Sequence, residues 1–223
     1  IRMMKKKLII FGVGSLAKMM NFYFMRDSDY EVVAFTIDSK YKTKSKFLDK
    51  EIIEFERIQD KYPPQKFEMF IAIGPSKMNT IREIKYTEAK EKGYRLVNYI
   101  SPHAICNTQI GENNFIGDMS VINSYVEFGN NNLVWEHSVI SNDSIIKDNC
   151  YISPNTSIGT NSIIYSNSII GTGAIIKTGV KVSEQTLVGA GCYISLNTEA
   201  KGIYGQKSAK IYGLISDKIN ISL

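Results

Sequence analysis

Histidine is nearly absent: the 223 residues hold two, His103 and His137. A three-histidine zinc site cannot be assembled within one chain, so no metal centre is expected. The three cysteines, Cys106, Cys150 and Cys192, are odd in number, and the last two fall on small interior positions of the repeat described below. They are expected as packed thiols, not as a disulfide or a metal site. No run of eighteen apolar residues and no signal-peptide core occurs, so neither a membrane span nor an export signal is expected, and the cytoplasm is the default location. The excess of positive charge is small as well. The net +5 is spread along the chain with no basic stretch interleaved with aromatics, which disfavours nucleic acid as a partner.

Present instead is a six-residue rhythm. From Ile110 to Ile194 a branched or large apolar residue stands at every sixth position, fifteen times without a break. Four residues after most of them comes a small or β-branched residue, such as Ser120, Val126, Ser138, Cys150 or Ala174. Two inward positions in six fit neither a helix nor a hairpin. They mark a hexapeptide β-helix, in which each hexad gives one short strand and a corner, and three hexads close a triangular coil. Stacked coils form parallel strands about 4.8 Å apart. The spacing is silent on handedness. At the eighteen-residue step Phe115, Leu133, Tyr151, Ile169 and Leu187 share one outer face. Such an apolar ridge exceeds what a monomer exposes and predicts a homotrimer.

The first hundred residues read differently. Lys7–Val13 (KLIIFGV) suits a buried parallel strand entering a turn at Gly12-Val13-Gly14, and Ser15 is expected to cap a helix of about eleven residues. Tyr30–Ile37 gives a second strand with Asp38 at its carboxyl end, and Phe67–Ile73 a third running into Gly74-Pro75. Asn79–Lys92 reads as an amphipathic helix stopped by Gly93, and Arg95–Ile100 as a strand leading to a hinge at Ser101-Pro102. Between Ser39 and Gln65 only a short helix near Glu54–Lys61 is predicted. The expected organisation is an α/β domain over 1–101, a β-helix over 102–200 and a basic tail over 201–223.

Two constellations carry chemistry. Gly12-Val-Gly14-Ser-Leu-Ala17 fits G-x-G-x-x-A after a strand, with Asp38 twenty-four residues beyond Gly14. The region is too short for two mononucleotide halves. One half can hold one nucleotide, with the amides of Gly12–Ser15 at phosphate or sugar and Asp38 on hydroxyl or base; a tight turn without ligand is the competing explanation. His137 stacks at eighteen-residue steps with Met119, Asn155, Gly173 and Gly191, a column that loses its side chains toward the last coils. The adjacent column, Asp118, Glu136, Pro154, Thr172 and Ala190, shrinks the same way. A trough of that shape suits an extended pantetheine arm, and an imidazole at its end suits a general base that Glu136 or Asp118 orients. An ordinary corner histidine is the alternative.

Leu8–Ala17, Phe70–Gly74 (FIAIG), Tyr99–Ile105 with its I-S-P-H-A, Ile170–Val182 (IGTGAIIKTGVKV) and Leu187–Gly191 (LVGAG) together resemble the bacterial sugar acyltransferases of the sialic-acid O-acetyltransferase and nucleotide-amino-sugar N-acetyltransferase type. The resemblance covers nearly the whole chain. It implies a small Rossmann-like α/β domain followed by a left-handed parallel β-helix, in a homotrimer with acetyl-CoA between neighbouring β-helices and the nucleotide of the acceptor on the small domain. The implied enzyme moves acetyl from CoA to the amine of a nucleotide-linked sugar; sugar O-acetylation, or a nucleotide-sugar-binding β-helix without catalysis, are the alternatives. It implies Gly12, Gly14, Ser15, Asp38 and Gly74 on the acceptor side and Asn155, Gly171, Gly173, Lys177, Gly189 and Ala190 on the CoA side. Catalysis falls to His137 with Glu136 and Tyr151.

The chain departs from that pattern at the corner itself. Where the family reads E-H-D-C, ungapped alignment sets Glu136 opposite its histidine and His137 opposite its aspartate; His137-Ser138 matches the H-H-S of other relatives. Tyr151 replaces a second histidine one coil on, and Ser208-Ala-Lys210 stands for Pro-Ala-Lys.

Overall fold

A computed structural model describes residues 5–206. The segment Ser208-Ala-Lys210 therefore lies outside the described residues. In the α/β part, β1 (Lys6–Phe11), β2 (Tyr30–Ile37), β3 (Lys46–Phe47), β4 (Lys50–Glu54) and β5 (Glu68–Ile71) form one sheet in the order β3-β4-β2-β1-β5, parallel except for the β3–β4 hairpin. Helices α1 (Ser15–Asp27), α2 (Ile58–Lys61) and α3 (Thr80–Glu91) connect and flank it. β1 lies inside the sheet between β2 and β5 and reads as an unbroken apolar run because both faces are covered: Leu8 and Ile10 pack with Met20, Phe24 and Phe70, and Ile9 and Phe11 with Phe55, Ile58 and Leu96. The β3–β4 hairpin is an element the sequence did not announce. Ser15 is not the cap of α1; Gly14 is, with no side-chain cap bond.

The hexads build the predicted prism. Three stacks of two-residue parallel strands run along it, and their inward residues from Ile116 to Ile194 form one column from which water is excluded. The rungs extend beyond the expected span on both sides, because Tyr99–Ile100 already pairs with Phe115–Ile116 and Ile203–Tyr204 with Leu187–Val188. The inward serines cost nothing in lost hydrogen bonds: Ser120, Ser138, Ser144, Ser162 and Ser168 each donate to a backbone carbonyl fifteen residues on. Glycine after an inward residue lets coils approach; a Cβ on Gly171 would lie 2.6 Å from the Ala190 nitrogen.

Every corner turns through one left-handed residue, the third after each inward one. Asn131 (φ 60°), His137 (φ 59°), Asp143 (φ 57°), Asn155 (φ 59°) and Gly173 (φ 67°) all occupy it. Asn, Asp, Gly and His are the residues that tolerate this conformation at least cost, so the emptying of the His137 column toward Gly173 and Gly191 has a conformational cause of its own.

Candidate active site

The α/β domain docks on the seven-stranded stack, the face that begins with Tyr99–Ile100. Phe115, Leu133 and Trp135 are buried there with Tyr23, Phe24 and Phe70. This corrects the expected ridge. Phe115 and Leu133 are fully buried under the chain's own domain, and Tyr151, Ile169 and Leu187 remain half-exposed. The sequence could not show this, because nothing in the spacing of hexads says which face the preceding domain covers.

Two helices grip the two edges of that face. On one edge α1 presents Tyr23 and Arg26, one turn apart. The Tyr23 hydroxyl donates to Glu136 Oε1 at 2.7 Å, and the Arg26 guanidinium reaches Asp118 at 3.0 Å. The Ser101 hydroxyl also donates to Asp118. That bond, then Arg26, hold the Asp118 carboxyl below the usual carboxylate range against the effect of burial. Burial and the bond to Glu136 push the Tyr23 phenol well up, so it remains a donor. The two lower rungs of the proposed trough are thus occupied by α1, and the column is open only from Pro154 upward, through Thr172 and the exposed Ala190.

On the other edge α3 lays Arg82 into the joint. Its guanidinium is 1% exposed, has no carboxylate partner among the described residues, and donates to the carbonyls of Ile71, Ile73, Asn113 and Asn131. Burial pulls its pKa down to about 9. Beside it an asparagine ladder climbs the corner: the Ile71 N–H donates to Asn113 Oδ1, Asn113 Nδ2 to Asn131 Oδ1, and Asn131 Nδ2 to Asn149 Oδ1, at 2.9, 2.7 and 2.7 Å. Tyr86 and Lys90 of α3 both reach Glu112. The joint is therefore polar and buried on this edge, with Arg82 and the asparagine ladder hydrogen-bonded and the side chain of Asn79, the cap of α3, buried without a partner among the described residues.

Between the domain and the prism lies a cavity of about 440 Å³ lined by Leu16 and Met19 of α1, Gly74 and Pro75 after β5, and Trp135, Glu136, Tyr151 and Pro154 of the coils. It is apolar apart from one carboxylate and one phenol. Burial pushes the Tyr151 phenol up, so it too is a donor. Glu136 has its second oxygen free of partners among the described residues. Trp135, the single tryptophan, forms the floor; its rank among Gly117, Ser153 and Gly171 at the same position of successive coils is the signal that could have found it. Tyr23 and Arg82 had no such signal, being ordinary residues of helix patterns.

The acceptor-side residues divide. Gly12 is needed by the turn itself, at φ 121° with a Cβ position 2.7 Å from the Ala72 carbonyl oxygen. Gly14 and Gly74 have nothing within 4 Å of where a Cβ would be, and Gly14 with Ser15 opens α1 next to the cavity wall. Asp38 is not free, since Lys85 holds it at 2.7 Å. Pro75 leads into three consecutive left-handed residues, Lys77, Met78 and Asn79, and Asn167 of the prism donates to the Met78 carbonyl.

The catalytic candidates divide too. Glu136 and Tyr151 face the cavity; His137 sits on the exposed outside of the corner and its side chain makes no hydrogen bond among the described residues. Of the CoA-side candidates, Asn155, Gly173 and Ala190 follow His137 up the same edge, and Gly171 and Gly189 carry close contacts between coils. Lys177 is exposed on a different edge. Among the described residues no group of three His, Cys, Asp or Glu side chains could hold a metal ion, and no helix is long and apolar enough to cross a membrane.

Comparison with known proteins follows the same division of the chain. Residues 137–172 match the bacterial transferase hexapeptide (six repeats). No curated protein matches the sequence. Among solved structures, the acetyltransferase domain of PglB from Neisseria gonorrhoeae FA1090 superposes with a TM-score of 0.77 at 22% identity, covering 87% of this chain and 94% of that one. A mutant of GDP-perosamine N-acetyltransferase from Caulobacter crescentus, in complex with CoA and GDP-perosamine, gives 0.77 at 20% identity over 88% and 92%. WeeI from Acinetobacter baumannii AYE gives 0.75 at 18% over 90% and 97%. The repeat and its parallel stacks fit a left-handed β-helix: residues 137–172 carry the bacterial transferase hexapeptide, and the chain shares the fold of the PglB acetyltransferase domain and the GDP-perosamine N-acetyltransferase.

Proposed function

We propose that this protein transfers acetyl from acetyl-CoA to the amine of a nucleotide-linked sugar. The observation that carries the proposal is the cavity where Gly74-Pro75 and the first turns of α1 meet Trp135, Glu136 and Tyr151. It brings the end of the sheet at which a nucleotide binds in α/β folds against the one carboxylate of the coils that lines it. In this account the small domain acts as a Rossmann-like half, with phosphate at the open Gly14–Ser15 turn and the sugar over Trp135. The structures of similar fold support the choice of substrates: PglB was solved with acetyl coenzyme A and the perosamine enzyme with CoA and GDP-perosamine. Pairing an ammonium with Glu136 in an apolar cavity favours nitrogen over oxygen as the acceptor.

The upper edge supplies the CoA side: Asn155, Thr172, Gly173 and Ala190 leave a shallow strip, and Gly173 has no neighbour within 4 Å of a Cβ position. In this proposal the protein works as a homotrimer in the cytoplasm, with Lys177, exposed on a different edge, serving the strip of a neighbouring subunit. The amine attacks the thioester carbon, a base at the Glu136–His137 corner takes its proton, and the thiol of CoA leaves. Mixing the protein with acetyl-CoA and nucleotide-linked amino sugars should release free thiol, and the same sugars lacking the amine should release none. Equal release from both sets would replace N-transfer by O-transfer or hydrolysis.

A further inference from the structure

We propose that Glu136, not His137, is the group that takes the proton from the acceptor amine, and that Tyr23 of α1 is the residue that positions it. The proposal rests on the acetyl-transfer function above and names the roles within that site.

A general base must come within hydrogen-bond reach of the proton it removes. Glu136 lines the cavity, and His137 does not. The corner explains the difference: His137 is the left-handed residue of its turn, at φ 59°, and its side chain leaves the prism outward. Glu136 is one residue earlier, on the side that faces the domain. Tyr23 pins one of its oxygens, donating to Oε1 at 2.7 Å, and the other oxygen keeps its lone pairs for a ligand. Tyr23 is itself fixed. It is 9% exposed and packed against the stacked rings of Tyr99 and Phe115, at 5.3 and 5.2 Å between centroids. Asp118, the carboxylate one coil below, cannot substitute, because Arg26 and Ser101 hold it.

The step balances with the residues present. The amine binds as the ammonium against Glu136 and becomes neutral by releasing one proton to solvent. The nitrogen lone pair then forms the C–N bond at the thioester carbon while the remaining excess proton moves from nitrogen to the Glu136 carboxylate. Collapse of the tetrahedral species breaks the C–S bond, and the proton on Glu136 ends on the sulfur of CoA. Tyr23 also ties the base to the helix whose first turn opens the acceptor site. Binding of the nucleotide end and placement of the base therefore share one rigid element.

The test uses the full chain with acetyl-CoA and three probes: GDP-perosamine and the UDP- and dTDP-linked 4-amino sugars of the same kind. Glu136→Gln is expected to lower kcat about 10²–10⁴-fold, as loss of a general base does. His137→Ala should keep more than about a tenth of wild-type kcat. Tyr23→Phe should lower kcat about tenfold with the KM for acetyl-CoA unchanged, and should have no further effect in the Glu136→Gln background. A role confined to stability would instead add to the Glu136→Gln loss. A His137→Ala loss above a hundredfold beside a Glu136→Gln loss below tenfold would overturn the assignment. A wild-type protein that acetylates none of the probes would remove the acetyl-transfer function and this assignment together, which the first measurement of the series distinguishes from a failure of the assignment alone. If Glu136→Gln does not fold, Glu136→Asp decides: it keeps the charge but withdraws it from the cavity, and unchanged kcat in that variant would refute the base.

Discussion

Replacing Arg82 with leucine removes the donors from the centre of the joint between the two parts of the chain. The guanidinium serves four carbonyls, those of Ile71 and Ile73 at the end of the sheet and those of Asn113 and Asn131 on the prism corner. Each carbonyl left buried without a donor costs about 1–3 kcal/mol. Against that sum stands the relief of removing an uncompensated buried charge, which amounts to several kcal/mol. The net expectation is a loss of about 2–4 kcal/mol, a large fraction of a stability that is about 5–15 kcal/mol for a typical protein. Urea unfolding followed by circular dichroism reads the loss as a lower midpoint with an unchanged slope. Arg82→Lys makes the reasoning sharper. An ammonium is a point donor and cannot span two elements, so lysine should be no better than leucine. Lysine restoring most of the stability, or leucine costing less than about 1 kcal/mol, would refute the claim that the fork of donors is what the joint requires.

Other consequences are as direct. Because the folded structure holds the Asp118 acid below its ordinary range, its contribution is complete above the unfolded carboxylate pKa of about 4 and is lost as pH falls through the folded value. Asp118→Asn should therefore be less stable than wild type at pH 7 and should flatten the loss of stability on acidification; parallel pH curves for the two proteins would count against the Arg26–Asp118–Ser101 contact. Tyr125 is 80% exposed at a corner with φ 63°, where an aromatic residue is strained and asparagine is not. Tyr125→Asn should raise the unfolding free energy by about 0.5–1 kcal/mol, and a loss in the same assay would show that the ring has a partner. Trp135→Ser, matching Ser153 one coil above, should leave the prism folded and raise the KM for the acceptor while leaving that for acetyl-CoA unchanged; equal changes in both would remove Trp135 from the acceptor cavity.

The prism was legible in the sequence because its determinant is strictly local. Two inward positions in six, repeated from Ile110 to Ile194, leave a single way to bury the column. The parallel strands β1 and β2 were legible for the same reason, their apolar runs being long enough to exclude a solvent face. What lay outside the pattern was docking. Phe115 and Leu133 repeat like surface residues of a ridge, and only the folded chain shows α1 and the sheet lying over them. The site was half visible. Glu136, Tyr151 and Gly74, singled out separately, line one cavity, but the histidine of the repeat owes its position in the corner to a left-handed turn, and Asp38, an acid at the expected place, is held by Lys85. Residue type reports what a side chain can do; the direction it points is set by φ at that corner and by a helix more than a hundred positions away in the sequence, where Tyr23 meets Glu136.

The most direct test of acetyl transfer at this cavity is the identity of the product. Incubated with acetyl-CoA and GDP-perosamine or its UDP- and dTDP-linked counterparts, the protein should add one acetyl group to at least one acceptor, with one CoA released for each, and mass spectrometry should find that acetyl group still attached after mild alkali has cleaved any ester. An acetyl group lost to alkali would mean transfer to oxygen, and acceptors recovered unchanged beside intact acetyl-CoA would contradict the account.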